Sequence, residues 1–174
     1  MNFFPAIEKW FFPEFAIHEA FREMARDGHE GREGIAIWLG NRVDSNAKIS
    51  RIVLLRGPGV IKQPDLLIIE PWLLNELTDV TIDLGVAIIG HIHSHGPYYG
   101  TDLSAPDRRY GIVVPYYLSM IAPDYALREN TPITDCGVHI FEPDVGYRRL
   151  PDKEIKKRII IEQSNQLDVI TIGR

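Results

Sequence analysis

Apolar residues recur along this chain at two spacings, one typical of helices and one typical of strands. Over residues 13–27 they return every three or four positions, which predicts an amphipathic helix that ends at Gly28. Pro71 predicts the start of a second helix, because proline is favoured in the first helical turn. The predicted inner face of this second helix consists of Leu73, Leu74, Leu77 and Val80. Each helix therefore has one apolar stripe to bury against another element.

Several short segments are apolar almost throughout, as strands buried on both faces are. The predicted strands are residues 33–40, 49–55, 86–93, 117–122 and 138–141. A further helix is predicted to begin in the Ser-Ala-Pro-Asp stretch at 104–107. The tail, residues 152–173, combines a short charged helical stretch with two strand-like runs whose order the pattern does not define. Helices that alternate with strands predict an α/β fold, a single-domain mixed β-sheet flanked by helices.

The composition is that of a globular protein and not of a disordered one. The 174 residues fit one domain, and 45% of them are apolar and 25% charged. The formal net charge is −5, and the longest basic run is residues 156–158. Because phosphate neutralisation needs a clustered positive surface, the sequence predicts no nucleic-acid partner.

The cysteine content and the N-terminal sequence bear on location. Cys136 is the one cysteine, so no intrachain disulfide can form, which suits a reducing compartment. The first ten residues are interrupted by Pro5, Glu8 and Lys9 and do not resemble a signal peptide. No window approaches the ~18 unbroken apolar residues of a membrane span. The sequence therefore predicts a soluble, cytoplasmic protein with no membrane partner.

Three of the six histidines, His91, His93 and His95, fall within five residues at the end of a predicted strand. Side chains two positions apart on a strand point to the same face, so these imidazoles can converge. Two histidines and one carboxylate, with one position open for water, form a catalytic zinc set. A site built from all three histidines is the alternative. Either pattern predicts a metal centre.

Two acidic residues are candidates to complete such a centre. Asp107 lies in the Ser104-Ala105-Pro106-Asp107 stretch, twelve positions after His95, and this stretch is also typical of a helix N-terminus. The two interpretations are compatible, because a carboxylate in a first helical turn is rigidly placed. Glu33 precedes a predicted strand, which by itself is commonplace.

Together these residues resemble the JAMM (MPN-plus) metalloprotease family, whose motif joins an upstream glutamate to His-Ser/Thr-His, seven residues, Ser, two residues and Asp. The stretch from Glu33 to Gly40 is similar to the family's Glu-x-x-Gly-x-Leu-x-Gly, and residues 90–95 are similar to its Gly-x-x-His-Ser-His. The resemblance extends over residues 13–143, leaving 144–174 as a C-terminal extension of a single domain, 1–174. It implies a JAMM/MPN fold, a three-layer sandwich like that of cytidine deaminases.

The resemblance also implies a role for each motif residue. The zinc ligands would be His93, His95 and Asp107, with Glu33 as the general base that activates water and Ser104 as a donor to the developing oxyanion. His91 would occupy a position where the family often carries an aromatic residue.

Two departures from the family pattern are visible. Eight residues instead of seven separate His95 from Ser104, which indicates a single inserted residue at Gly96 in a turn. Ala36 stands where the family carries the glycine of Glu-x-x-Gly.

The implied function is zinc-dependent hydrolysis of the amide bond after the C-terminus of a ubiquitin-like protein. The compact chain is similar to the prokaryotic branch, often encoded beside E1- or E2-like enzymes or in antiviral operons. Tyr98 and Tyr99 would line a groove for the substrate tail, or else be ordinary surface aromatics. The alternatives are an inactive scaffold of the same fold and a zinc peptidase acting on cell-wall or phage-tail peptides. The oligomeric state stays open.

Overall fold

A curled mixed β-sheet forms the centre of the molecule in the computed structural model, which describes residues 5–128 and 130–173. The strands are β1 (Lys9–Pro13), β2 (Ile35–Val43), β3 (Asn46–Leu55), β4 (Val60–Lys62), β5 (Leu67–Ile69), β6 (Ala87–Ser94), β7 (Leu118–Ala122), β8 (Gly137–Glu142), β9 (Gly146–Arg149), β10 (Ile159–Glu162) and β11 (Asp168–Ile172). The helices are α1 (Glu14–Gly28), α2 (Pro71–Leu84), α3 (Ala105–Tyr110) and α4 (Asp152–Arg158). The predicted α/β class with a mixed sheet is confirmed.

The strands of the main sheet follow the order β10-β1-β3-β2-β6-β7-β8-β9. β2 is antiparallel to both β3 and β6, whereas β6 runs parallel to β7. β11 pairs with the second half of β3, and β4 and β5 form a separate two-stranded hairpin. β6 therefore lies in the interior of the sheet, and its C-terminal end is held by neighbours on both sides.

Apolar side chains alternate along β2 between two cores, as the two-residue period of a strand requires. Ala36 and Trp38 face the core beneath α1, whereas Ile35, Ile37 and Leu39 face the core beneath α2. Each helix covers its own face of the sheet with the stripe predicted for it. No helix within the described ranges is long and apolar enough to cross a membrane.

Element boundaries differ from the predictions where backbone hydrogen bonds are used elsewhere. α1 begins at Glu14, because Pro13 has the extended backbone of β1. β2 begins at Ile35 and not at Glu33, whose N–H donates to the carbonyl of Gln63 at 2.9 Å. The tail, whose order the sequence pattern does not define, forms α4, β10 and β11.

Glu23 on α1 is buried with only 4% of its surface exposed, although it carries a carboxylate. Arg56, just beyond β3, binds it in a bidentate manner, with Nε donating to Oε1 at 3.0 Å and Nη2 to Oε2 at 2.8 Å. Burial opposes ionisation, but Arg56 and, to a lesser extent, Arg26 outweigh it and hold the pKa of Glu23 below its usual value. The pair therefore stabilises the folded chain at neutral pH.

Replacing Arg56 with alanine is expected to lower the free energy of unfolding by about 2 kcal/mol at pH 7, a discounted value because Arg56 is partly exposed. Because the folded-state pKa of Glu23 is lowered, this contribution is present above about pH 4.3 and is lost as the pH falls through that lowered pKa. Thermal unfolding should show that the difference in stability between wild type and Arg56→Ala becomes smaller as the pH falls. Arg51→Ala, which removes a pair to the exposed Asp168, is the control. A difference in stability that stays constant down to pH 3 would contradict the claim that Arg56 stabilises the ionised Glu23.

Candidate metal centre

The C-terminal end of β6 brings two histidines to one face of the sheet. His93 lies within the strand, opposite Ile35 of β2, and His95 follows one residue after the strand ends. The N–H of His95 donates to the carbonyl of Ala122 at 2.9 Å, which continues the pairing with β7. Ser94 points to the other face, where its hydroxyl accepts from the N–H of Gly34 at 2.9 Å. Both imidazoles are about 3% exposed, so their rings are fixed by packing.

The first turn of α3 supplies the carboxylate. Ser104 caps this helix: its hydroxyl accepts from the N–H of Asp107, and the Asp107 carboxylate accepts from the N–H of Ser104 at 2.8 Å. This reciprocal arrangement is the capping box that the sequence predicts. It turns Asp107 back towards the sheet, where Oδ1 lies 3.3 Å from His93 Nε2 and Oδ2 lies 3.3 Å from His95 Nε2.

These three residues could hold a metal ion. The Nε2 atoms of His93 and His95 are 3.1 Å apart, and the donor atoms of the two rings and of Asp107 all lie within 4.8 Å of one another. Nitrogen lone pairs and a carboxylate that converge in this way repel one another unless a cation or a proton lies between them. Two imidazoles and one carboxylate are also the donor set that zinc accepts. The residues therefore fit a zinc ion.

Hydrogen bonds to the outer ring nitrogens fix the orientation of both histidines. His95 Nδ1 lies 3.0 Å from the carbonyl of Gly100, so that a proton on Nδ1 donates a hydrogen bond to this carbonyl and the Nε2 lone pair stays free for a metal. His93 Nδ1 lies 3.2 Å from Nε2 of His91, and Nδ1 of His91 lies 2.8 Å from the hydroxyl of Tyr117. If His93 carries its proton on Nδ1 and donates it in a hydrogen bond to His91, the Nε2 lone pair of His93 faces the site.

His91 is therefore placed behind the metal centre and not in it. Burial, followed by the neighbouring imidazole of His93, lowers its pKa to about 3, so that it is neutral and can accept from His93. Ser119 on β7 is a second neighbour, with its hydroxyl 3.2 Å from Nε2 of His91. The sequence pattern did not reveal Tyr117 or Ser119, because both contacts cross from β6 to the segment that contains β7.

Replacing His91 with phenylalanine keeps a ring of similar size but removes the acceptor for His93. The variant should still bind zinc, with an affinity about 10–100-fold weaker, as is typical when an outer-sphere partner of a ligand is lost. Competition with a chromophoric chelator measures this change. Tyr117→Phe, which removes only the hydroxyl that contacts His91, should have a smaller effect. Complete loss of zinc would favour the site built from three histidines.

Glu33 lies at the same end of the sheet as His95 and Asp107, close enough for their charges to affect its pKa. The N–H of Ser94 donates to the carbonyl of Gly34, so that Glu33 is held next to the His95 end of β6. Its side chain is only 5% exposed. Burial raises the pKa of Glu33 to about 7, with the charge of Asp107 adding to the effect and that of His95 opposing it. A carboxyl group with this pKa can both accept and return a proton near neutral pH.

The pKa values of Asp107 and His95 are both shifted by neighbouring charged groups. Burial disfavours the charge on Asp107, but the hydrogen bonds from His93 and His95 outweigh it and hold the pKa of Asp107 far below its usual value. The pKa of His95 is raised, because Asp107 and Glu33 outweigh the effect of burial. Asp107 is thus an anionic group that stabilises positive charge between the two rings.

A left-handed turn covers one side of the site. Residues Asp124, Tyr125 and Ala126 have φ angles of 54°, 54° and 59°, a backbone conformation that non-glycine residues adopt rarely. The N–H of Tyr125 donates to the carbonyl of His95 at 2.8 Å, and its hydroxyl donates to the carbonyl of Pro64 at 2.9 Å. The turn thereby links the metal-site loop to the segment between β4 and β5. Sequence reasoning missed Tyr125.

The same turn packs against Gly96, the residue that the resemblance predicts to be an insertion. A Cβ atom at Gly96 would lie 2.7 Å from the hydroxyl of Tyr125, closer than real side chains approach. Of the two tyrosines predicted to line a substrate groove, Tyr98 is 94% exposed and Tyr99 is 55% exposed. Both lie in the loop that follows His95. They are accessible to a partner, and nothing in the fold requires an aromatic residue at Tyr98.

Comparisons with known proteins give a structural likeness alone. A scan of protein families finds no match, and a search of curated proteins finds none either. Among solved structures, 130 chains match this fold. One is the solution structure of protein DSY2949 from Desulfitobacterium hafniense, with 18% sequence identity and a TM-score of 0.64 over 90% of this chain and 95% of that one. At this identity the likeness shows the fold only.

Proposed function

We propose that this protein is a zinc-dependent amide hydrolase of the JAMM (MPN-plus) type, with the three-layer JAMM/MPN fold. The observation that carries the proposal is the convergence of His93 Nε2, His95 Nε2 and the Asp107 carboxylate beside a buried Glu33. Two histidines and one acid leave one zinc position open, which distinguishes a catalytic zinc site from a structural one. The second acid supplies the proton transfer that amide hydrolysis requires.

Zinc held by these residues would act as a Lewis acid at the scissile carbonyl and lower the pKa of water to about 7. His93, His95 and Asp107 are the protein's contribution to this chemistry. The three side chains already converge without a ligand: β6 positions His93, the Ala122 and Gly100 carbonyls position His95, and the capping box orients the carboxylate. A site of this kind needs little rearrangement to bind a metal.

Glu33 is the proposed general base and general acid. As a base it takes the proton of the attacking water, and as an acid it returns that proton to the leaving amine when the C–N bond breaks. Burial raises the pKa of Glu33 in the metal-free site, and a zinc ion beside it would favour the ionised form that accepts the proton of water. Its burial also keeps bulk water from competing for the proton.

Ser104 is the proposed donor to the developing oxyanion. In this structure its hydroxyl donates to Oδ2 of Asp107 at 2.7 Å, so the hydroxyl must rotate to reach a substrate. A cation on Asp107 lowers the cost of that rotation, because the carboxylate is then neutralised by another partner. Ser104 thus has a structural role at the helix cap and a proposed role in turnover.

The proposed substrate is a ubiquitin-like protein or its conjugate, cleaved at the amide after its C-terminus, whether an isopeptide or a linear fusion. Tyr98 and Tyr99 support this choice, since exposed aromatic side chains beside a metal centre suit an extended peptide tail. E1- or E2-like enzymes are the partners that such a substrate requires. The proposed location is the cytoplasm.

Hydrolysis of a ubiquitin-like protein with a short peptide fused to its C-terminus tests this function. The zinc-loaded protein should release the peptide at the fusion point, as intact mass spectrometry measures. Chelation of the metal should abolish cleavage, and added zinc should restore it. The same peptide fused to an unrelated domain is the control. Zinc-loaded protein that leaves every ubiquitin-like fusion intact, yet cleaves cell-wall peptides, would contradict the proposed substrate.

A further inference from the structure

Residues 100–112 supply the carboxylate of the candidate metal site and the carbonyl that orients His95. Gly100 contributes the carbonyl that accepts from His95 Nδ1, and Asp107 contributes the carboxylate. α3 is only six residues long and has no buried side chain, and Leu103, just before the helix, is the one buried residue of the segment. Contacts with other elements therefore help to position Gly100 and Asp107 against the sheet.

One of these elements is β9, an edge strand of the sheet. Its residues Tyr147 and Arg149 are two positions apart and share a face. Arg149 Nη2 donates to the hydroxyl of Thr101 at 2.8 Å, and Arg149 Nη1 lies 3.0 Å from Oδ1 of Asp102. The guanidinium thus contacts the two residues that directly follow Gly100.

Tyr147 holds the other end of the segment. Its hydroxyl donates to the carbonyl of Ile112 at 2.7 Å, and its ring lies so close to Gly111 that a Cβ there would be 3.1 Å away. Its own carbonyl lies 3.4 Å from Nη1 of Arg108. Asp107 therefore lies between two points of attachment, both of which belong to β9.

Strand β8 contributes a close contact that needs a glycine. A Cβ at Gly137 would lie 1.7 Å from the carbonyl oxygen of Thr101, so the loop backbone rests directly on this strand. Two residues further, His139 is fully buried, with Nε2 3.3 Å from Oδ1 of Asp102. His139 is also the cross-strand partner of Arg149. The loop is thus seated on β8 and held by β9.

We propose that Tyr147 and Arg149, together called the β9 clamp, are positioning residues for the metal centre. This inference rests on the proposed zinc site and goes beyond the residues that contact the metal. By holding Thr101 and Asp102, Arg149 keeps the Gly100 carbonyl where His95 Nδ1 needs an acceptor. By holding Gly111 and Ile112, Tyr147 keeps α3 turned so that Asp107 faces the two rings.

The test is the zinc affinity of clamp variants, measured by chelator competition. Arg149→Ala should weaken zinc binding about tenfold, the lower end of the range for outer-sphere partners because the effect passes through the loop. Arg149→Lys, which keeps one charged donor, should recover part of the loss. Tyr147→Phe removes only the hydroxyl bond to Ile112 and should weaken binding severalfold. The absorption spectrum of bound Co²⁺ should change in Arg149→Ala, because His95 loses its fixed orientation.

Arg148→Ala is the matched control. Arg148 lies between the two clamp residues on the opposite face of β9, where it binds Glu142 and Glu154. Its loss should lower the melting temperature of the metal-free protein without weakening zinc binding. Clamp variants that keep wild-type affinity and Co²⁺ spectrum, or an Arg148→Ala variant that binds zinc as weakly as Arg149→Ala, would overturn the proposal. A wild-type chain that binds no zinc would overturn the metal site and the clamp together.

Discussion

Replacing Glu33 with glutamine is expected to slow amide hydrolysis by about 10²–10⁴-fold while zinc remains bound. Glutamine has nearly the size of glutamate and can hydrogen-bond to water, but it cannot accept a proton. The attacking water then keeps its proton, and the leaving amine has no acid. Because the loss affects bond breaking and not binding, kcat should fall while the affinity for the substrate tail persists.

Asp65→Asn is the control for Glu33→Gln. Its carboxylate raises the pKa of Glu33 and lies on the exposed segment between β4 and β5, so both substitutions remove one negative charge near the site. A change of charge alone would affect both variants, whereas loss of the base affects only Glu33→Gln. Near-normal cleavage by zinc-loaded Glu33→Gln would remove Glu33 from the mechanism. Loss of zinc from this variant would instead make Glu33 a ligand.

Replacing Asp107 with alanine is expected to remove zinc and, with it, all zinc-dependent hydrolysis. Two imidazoles are too few protein ligands to hold zinc firmly. The Nε2 atoms of His93 and His95, 3.1 Å apart, also lose the carboxylate that balances positive charge between them. Metal analysis should find about one zinc per chain in the wild type and essentially none in the variant.

Ser104→Ala separates the loss of a ligand from the loss of a helix cap. Asp107→Ala breaks the capping box as well as the metal site, which costs about 1 kcal/mol in stability. Ser104→Ala breaks the same cap but keeps the carboxylate, so it should retain most of its zinc and turn over more slowly. Full zinc occupancy in Asp107→Ala would contradict the ligand assignment and favour a site that includes His91.

The elements predicted best are those whose pattern reflects burial. The stripes of α1 and α2 and the apolar runs of β2, β3 and β6 all form the two cores, so their spacing reveals them. β1 was missed because its five residues, Lys9–Pro13, end in proline and pair with β10, about 150 positions away. β9 was missed because its four residues are mostly polar and lie at an edge of the sheet.

In the candidate site, too, features set by neighbouring residues can be predicted from the sequence, whereas contacts between distant residues cannot. The alternation along β6 predicts that His91 and His93 share a face, and the capping box at Asp107 is visible in four consecutive residues. What the sequence does not reveal is which nitrogen each ring presents to a metal. The choice depends on Gly100, which accepts from His95, and on Tyr117, which contacts His91. Gly100 in turn precedes Thr101, which Arg149 contacts from 48 positions away. Such contacts are set by the fold.

The two positions that depart from the motif of the family that the sequence resembles, Gly96 and Ala36, can each be explained by their surroundings. A Cβ at Gly96 would lie 2.7 Å from the Tyr125 hydroxyl, so a larger residue there would require the Tyr125 side chain to shift. Ala36 is fully buried in the core beneath α1, opposite Ile92 of β6, and needs no unusual backbone. His93, His95 and Asp107 converge, with their donor atoms within 4.8 Å of one another.

The central claim is that these three side chains hold a zinc ion, and diffraction from crystals of the zinc-loaded protein at the zinc absorption edge tests it most directly. The account predicts one anomalous peak about 2.0–2.2 Å from His93 Nε2, His95 Nε2 and a carboxylate oxygen of Asp107. A peak bound by His91, or no peak between the two rings in protein that contains zinc, would contradict it.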